Sequence, residues 1–270
     1  MTDRTKLEDF YDSWSTKSEK DIEHDLCAAE RKADLIVTGL SSHLRHHIHS
    51  VLDFGCGFGR FLDILAKRLD LKHAFGVDFS ADAIRIAKNI NDKTRLEFQQ
   101  LHTLSASENV QLIQTFAPEG IDCILLIDLL EHIPDCVELL SALSTITPLF
   151  LIKLPIESSI LDNYLLPKEF PGSNHSNGHL REFNVNDVHY FVRQIGLTPI
   201  VENTYVYHID DMFPPPAGRR SFKGVIYRNG LKWLKLFSSW ILPKRIFLRL
   251  IGGGGYYCLA TFDKDHVLHP

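Results

Sequence analysis

The stretch from Val51 to Leu65, VLDFGCGFGRFLDIL, constrains the fold more than any other part of this chain. An apolar run with strand character ends in glycines at alternate positions, Gly55, Gly57 and Gly59. An amphipathic helix pattern follows, with Phe61, Leu62, Leu65, Ala66 and Leu69 at helical spacing. The stretch predicts a strand, a tight turn and a helix. Glycine suits such a turn because it allows positive φ and lets another molecule approach the backbone with no Cβ in the way. The helix begins where the turn ends, so free N–H groups and the positive end of the helix dipole face whatever lies there. An anionic or carboxylate-bearing ligand fits that environment.

Spacing narrows the choice of ligand. A dinucleotide fingerprint wants G-x-G-x-x-G/A, whereas here Arg60 stands where the third small residue would be. That weighs against a nicotinamide dehydrogenase. Asp53 lies two residues ahead of the first glycine, and Gly76-Val77-Asp78-Phe79-Ser80 closes the next strand-like run, with Asp78 19 residues beyond Gly59. A third element, Ile121-Asp122-Cys123-Ile124-Leu125-Leu126-Ile127-Asp128-Leu129-Leu130-Glu131-His132-Ile133-Pro134, completes the set. In this order the three elements resemble the signature of class I S-adenosylmethionine (SAM)-dependent methyltransferases. The resemblance implies SAM as cofactor, held by Asp53, Gly55, Cys56, Gly57, Gly59, Asp78, Phe79, Asp128 and Leu129. Asp78 is then the carboxylate that accepts from the two ribose hydroxyls. The acidic residue that many family members carry after strand three, against the adenine, is missing from Leu96-Glu97-Phe98-Gln99-Gln100-Leu101-His102-Thr103, which leaves Gln100, His102 or backbone groups for that role.

From about 49 to 200, runs with strand character alternate with helical ones. Strands are expected near 50–54, 74–78, 96–99, 121–127 and 149–154, and helices near 60–70, 80–91, 107–116, 135–146 and 184–195. Asn184 is expected to cap the last of these. A run as uniformly apolar as Ile124-Leu125-Leu126-Ile127 is buried on both faces, as in a parallel sheet covered by helices. Residues 200–207 and 256–262 read as the last two strands, which the resemblance places as an antiparallel pair at the sheet edge. The expected fold is therefore α/β, Rossmann-like and doubly wound. Its seven-stranded sheet is mostly parallel with an antiparallel edge, and helices cover both faces. Ligands on such a sheet sit beyond the carboxyl ends of the strands, where Asp53, the glycines, Asp78 and Asp128 all fall.

Four segments follow from this pattern: a helical cap over 1–48, a cofactor-binding core over 49–209, an insertion over 210–254, and a final strand and tail over 255–270. In the cap, Tyr11-Asp12-Ser13-Trp14 is similar to an aromatic element that covers the cofactor in the family; packing of the leader on the core is the competing reading. His43, His46, His47 and His49 lack acidic or cysteine company and read as a solvated helix end rather than a metal site. Five scattered cysteines without C-x-x-C pairing fit reduced thiols. With no apolar leader at Met1–Phe10 and no run of roughly 20 apolar residues, the chain reads as cytoplasmic, with a peripheral membrane location as the second expectation.

The insertion is electrostatically distinct. Between Asp211 and Asp263 there is no acidic residue, while Arg219, Arg220, Lys223, Arg228, Lys232, Lys235, Lys244, Arg245 and Arg249 supply nine positive charges. That leaves 20 basic against 34 acidic residues elsewhere. Such asymmetry points to an anionic partner. Trp233, Leu236, Phe237, Trp240 and Ile241 share one helix face, and Lys232, Lys235, Ser238 and Ser239 another. Packing of the apolar face on the core or in a dimer is the first expectation; contact of 219–249 with an anionic membrane surface is the second. Nucleic acid is not expected, because the acidic remainder repels a long polyanion. Oligomeric state is not legible.

The resemblance implies methyl transfer to a small-molecule acceptor, with a sugar, lipid-linked or other anionic compound favoured by the basic insertion. A hydroxyl acceptor benefits from a base that titrates near neutral pH. His132 and His179 are the candidates, with His175 behind them, and each also has a structural reading. Some relatives carry Glu-x-x-Glu-His and bind a divalent ion; here the first position is Asp128, and no metal is expected. A cofactor-binding but non-catalytic scaffold, using the insertion for membrane or protein contact, is the alternative in a different functional class.

Overall fold

The computed structural model describes residues 19–40, 46–102, 105–161, 179–208, 212, 222–263 and 265, with side chains described from residue 27 in the first helix and from 229 in the helix that begins at 222. In chain order the elements are α1 (Glu19–Gly39), β1 (Ser50–Phe54), α2 (Arg60–Leu69), β2 (His73–Asp78), α3 (Ala81–Ile90), β3 (Leu96–Gln100), α4 (Ala106–Phe116) and β4 (Cys123–Ile127). They continue with α5 (Cys136–Leu143), β5 (Leu149–Ile156), α6 (Asp187–Gln194), β6 (Leu197–Val206), α7 (Phe222–Ile241), α8 (Lys244–Leu250) and β7 (Gly254–Phe262).

The strands form one sheet in the order β3-β2-β1-β4-β5-β7-β6. Strands β1 to β5 run parallel to one another, and β7 runs antiparallel between β5 and β6. This is the expected doubly wound sheet with its antiparallel pair at one edge. Strand order reverses between β1 and β4, and a crevice opens at such a switch beyond the carboxyl ends.

Alternation along the strands sorts side chains onto two faces. On one face Val51, Leu125, Leu151 and Leu259 pack with Ala33 and Ile36 of α1, Leu62 and Leu65 of α2, and Ile84 and Ala87 of α3. On the other, Leu52, Phe54, Ile124, Leu126 and Ile152 pack with Ile113 of α4, Leu140 of α5, Val188 of α6, and Phe247 and Leu248 of α8. The sheet is thus buried on both sides, which explains why its central strands carry almost no polar residue.

Local signals set the helix starts. Ser80 accepts from the Ala83 N–H at 3.2 Å and Ser105 from the Glu108 N–H at 3.4 Å, and Asp135 accepts from the Glu138 N–H at 2.9 Å. Each is a side-chain cap on an otherwise orphaned donor. The expected cap at Asn184 falls differently: α6 begins at Asp187 with Asn186 in the formal cap position and no side-chain cap bond from it. Asn184 still does the capping work from two residues upstream, its Oδ1 accepting from the N–H groups of Asn186 at 2.8 Å and Asp187 at 3.0 Å. No helix among the described residues is long and apolar enough to cross a membrane.

Leu126 is fully buried in the middle of the sheet. Leu126→Ala should lower the free energy of unfolding by about 2–5 kcal/mol, read as a fall in the urea midpoint followed by circular dichroism.

Candidate functional site

The turn after β1 is left-handed at Gly55, Gly57 and Gly59, with φ of 85°, 52° and 70°. Two of these glycines serve different ends. A Cβ at Gly59 would lie 2.4 Å from the Phe98 ring, so this position lets the turn pack on β3; a Cβ at Gly57 would meet nothing within 4 Å, so its backbone faces open space. Asp78, at the end of β2, accepts from the Gly57 N–H at 2.8 Å through Oδ2 and from the Ser80 N–H at 2.9 Å through Oδ1. One carboxylate therefore joins the glycine turn to the start of α3. Burial raises the Asp78 pKa, and these backbone donors oppose the shift.

Asp53 is buried beside Asp78. Burial, and then the charge of Asp78, push it up to about 8, and its Oδ1 has no hydrogen-bond partner among the described residues. Cys56 is buried, and burial followed by the charges of Asp78 and Asp53 hold its thiol well above the ordinary range, which makes it an inert packing group. Phe79 packs half-buried on the core, and its carbonyl accepts from Gln100 Nε2 at 3.1 Å. His102 is exposed. Of the two side chains considered for adenine, Gln100 is the one tied into this edge of the crevice. The Leu129 side chain lies beside the turn, 2.9 Å from where a Cβ on Gly55 would stand.

Asp128 lies between the crevice and a cavity of about 900 Å³ that opens beyond β4, β5 and β6. Its φ of 52° is unusual for a residue with a side chain. The carboxylate pairs with Lys153 of β5 and, at 2.7 Å, with Lys32 of α1. Burial would raise its pKa, but the two ammonium groups hold it below the ordinary carboxylate range. Lys153 in turn donates to the Tyr207 hydroxyl at 2.9 Å. Burial disfavours its charge, and Asp128 overrides that and raises its pKa. The side chain of Asp128 is thus committed to these cations, one of which ties the first helix over the end of β4. Sequence reasoning missed Lys153, although a lysine inside the apolar run LFLIKLPI was a visible signal.

Farther into the cavity stand Glu131 and His179. Arg181 donates to the carbonyls of Leu130 at 3.3 Å, Ile133 at 2.5 Å and Pro134 at 2.6 Å, which binds the loop after β4 to the segment that carries His179. The rings of His132 and His179 meet edge to face with centroids 4.7 Å apart. His179 Nδ1 lies 2.8 Å from Glu157 Oε2. A carboxylate only accepts, so Nδ1 carries the proton and the lone pair of the neutral ring is on Nε2. Burial disfavours the charged ring, but the bond to Glu157 and its charge win, so the pKa of His179 is raised. Glu131 is fully buried, and neither of its oxygens has a hydrogen-bond partner among the described residues. Burial, then the charge of Asp128, push its carboxyl up to about 8. The ligand atoms of Glu131, His132 and His179 all lie within 4.8 Å of one another, close enough to share an ion.

The two histidine candidates thus come together, with only His179 lining the cavity. His175, Tyr11, Trp14 and His43 lie outside the described residues. Glu157 and Arg181, also missed, are ordinary surface residues in the sequence and gain their roles only through the fold.

Comparisons with known proteins agree with this geometry. The family described as Methyltransferase domain matches residues 6–202. A ubiquinone biosynthesis O-methyltransferase from Aeromonas salmonicida (strain A449) is 30% identical over 98 residues, which are 36% of this chain and 37% of that protein; the match spans about a third of the curated relative. Among solved structures, magnesium protoporphyrin IX methyltransferase from Synechocystis PCC 6803, with bound SAH, superposes with a TM-score of 0.55 at 12% identity, over 96% of this chain and 100% of that one. A SAM-dependent methyltransferase from Anabaena variabilis ATCC 29413 gives 0.51 at 14% identity, over 97% and 96%. At such identities the likeness is one of fold.

The Glu131 carboxyl supplies a pH test. Its raised pKa means that the native state keeps a proton which the unfolded chain has already lost. The contribution of this group to native stability therefore falls as pH climbs from the ordinary carboxylate range to about 8, by about 1.4 kcal/mol per unit, and no further above it. Glu131→Gln removes this penalty. Its gain in denaturation midpoint over the unsubstituted protein should widen between about pH 5 and pH 8 and then level off.

Proposed function

The chain belongs to the Methyltransferase domain family, with the strand order and glycine turn of its class I, SAM-dependent members, and on that premise we propose that it transfers a methyl group to a small-molecule acceptor held in the 900 Å³ cavity. The observation that carries this reading is the open Gly57 backbone facing Asp78, with the cavity adjoining at Asp128. The residues present fit SAM. The turn leaves room for it, Asp78 at the end of β2 is a carboxylate that can accept from ribose hydroxyls, and the unpartnered Asp53 oxygen suits a ligand donor. Asp53, Gly55, Cys56, Gly57, Gly59, Asp78, Phe79 and Leu129 are the residues we assign to hold it, with Asp128 fixing the boundary to the acceptor side.

When bound, SAM supplies an electrophilic methyl on a sulfonium. The protein's task is to align an acceptor atom with it and exclude water. The carboxylate of Glu157 orients His179 so that Nε2 can take the proton of an acceptor hydroxyl. Lys153 and the basic segment 210–254 favour an acceptor with an anionic or strongly polar end, in the class of sugar or lipid-linked compounds. The same segment is the part of the surface suited to meet an anionic partner, a membrane included. A second reading of the inner cavity is a divalent ion on Glu131, His132 and His179, favoured by the proximity of their ligand atoms.

Titration calorimetry tests the premise: SAM should bind, and Asp78→Ala should weaken it at least about tenfold, or 1.4 kcal/mol. Absence of binding at high micromolar SAM ends the methyl-transfer reading. Turnover should rise with pH through an inflection above the ordinary histidine value. His179→Gln should abolish that inflection and cut kcat by about 10²–10⁴. EDTA separates the readings of the inner cavity, since loss of turnover restored by magnesium assigns the cluster to an ion and unchanged turnover leaves it to acid–base work.

A further inference from the structure

Helix α7 is amphipathic in the opposite sense to a helix that packs by its apolar side. At roughly 100° per residue, Trp233, Leu234, Phe237, Trp240 and Ile241 fall within about 120° of arc, and all five are exposed, Trp240 at 83%, Trp233 at 69% and Phe237 at 66%. Of the five residues expected to pack on the core or in a dimer, Trp233, Phe237, Trp240 and Ile241 are exposed rather than packed on the core, and Leu236 turns to the cavity instead. The arc opposite holds Lys235, Ser238 and Ser239, and the residue buried there is Lys235. Lys235, Leu236 and Ser239 face the cavity and form part of its wall. The helix has turned its polar side to a water-accessible cavity and its indole and phenyl rings outward. A contiguous apolar face of this kind marks a contact surface.

The surroundings say what kind of contact. Helix α8, next in the chain, also exposes Ile246 and Leu250, together with the cations Lys244, Arg245 and Arg249. Lys244 donates to Asn203 Oδ1 at 2.9 Å and to the Thr204 carbonyl at 2.6 Å, and Arg245 to Asn186 Oδ1 at 3.4 Å. These acceptors are neutral, so they hold the side chains in place without cancelling their charge. No acidic residue occurs from 212 to 262.

We propose that the exposed face of α7 and α8 lies in the interface of an anionic lipid bilayer, and that the acceptor is an amphiphile resident in that bilayer, whose polar end reaches the cavity behind α7. The second part rests on the methyltransferase reading; the first does not. Trp and Phe beside Lys and Arg, with low acidity, is the composition of a helix that lies in the headgroup region. Charge complementarity favours anionic lipid over a second copy of this chain, because a two-fold contact through this face brings two acid-free basic segments together. Trp240 links the docking face to the site: it is the most exposed of the five apolar residues and also lines the cavity, so it stands at the mouth. Seating the outer face of the helix on a bilayer brings that mouth to the lipid.

The full chain should co-sediment with vesicles of phosphatidylcholine and phosphatidylglycerol, and at least about tenfold less with phosphatidylcholine alone or at high salt. A variant carrying Trp233→Ser, Phe237→Ser and Trp240→Ser should lose sedimentation while binding SAM in calorimetry as the unsubstituted chain does, which shows that it is folded. Lys232→Glu with Arg249→Glu should weaken vesicle binding in the same way. The docking proposal is overturned if the unsubstituted chain ignores anionic vesicles, if the triple variant binds them undiminished, or if light scattering finds a dimer that the triple variant dissolves. For the acceptor, methyl-labelled SAM is incubated with the chain and an extract of the membranes of cells that express it. Label in the organic phase supports an amphiphilic acceptor, and label confined to water-soluble products overturns it. Failure to bind SAM at all would instead end the methyltransferase reading and leave the vesicle result standing.

Discussion

One carboxylate, Asp78, holds the site together. It ends β2, accepts from the Gly57 amide in the turn after β1, and accepts again from Ser80 at the start of α3. Two loops from two strands are thereby fixed to one another across the crevice, and the crevice acquires its shape before any ligand arrives. Burial makes an ionised Asp78 costly, and backbone donors offset that cost. The nearby Asp53 lacks such donors among the described residues and keeps its proton to about pH 8. Two acidic side chains a few residues from the same turn thus differ in how far backbone donors oppose the cost of burying their charge.

A second linkage joins the glycine-turn crevice to the cavity beside it. Asp128 sits at the end of β4 in left-handed backbone, held by Lys153 from β5 and Lys32 from α1. Two residues later begins the loop whose carbonyls Arg181 collects. His179 is therefore positioned by bonds on both sides, to Glu157 directly and to the β4 loop through its neighbour Arg181. Removing a charge from such a network leaves the other buried charge uncompensated, so these groups stand or fall together.

Much of this was legible in the sequence, and the reasons are physical. The glycine turn announces itself because positive φ is rare without glycine, and Asp78 because a carboxylate closing an apolar run belongs at a strand end. The uniformly apolar β4 implied a parallel sheet covered on both sides, and the strand boundaries fell within a few residues. Lys153 was passed over because its meaning depends on Asp128 and Tyr207, residues 25 and 54 positions away. Arg181 acts through backbone carbonyls, which have no sequence signature. Helix α7 shows a different limit: periodicity reveals that a helix has two faces, but the pattern is the same whichever face turns inward. Only the cavity behind it, which Lys235 and Ser239 line, decides the orientation.

The strands β6 and β7 pair up to Val206 and Gly254, and one residue farther Tyr207 N–H donates to the Gly253 carbonyl at 3.0 Å. The chain thus leaves the sheet and returns to it at a single point, with the whole basic arm as the excursion between. A tight hairpin could close the same two strands. The outer face of α7 can therefore vary with little effect on the sheet, whereas Phe247 and Leu248 of α8, buried in the core, tie the arm to it and have to be kept or replaced in kind.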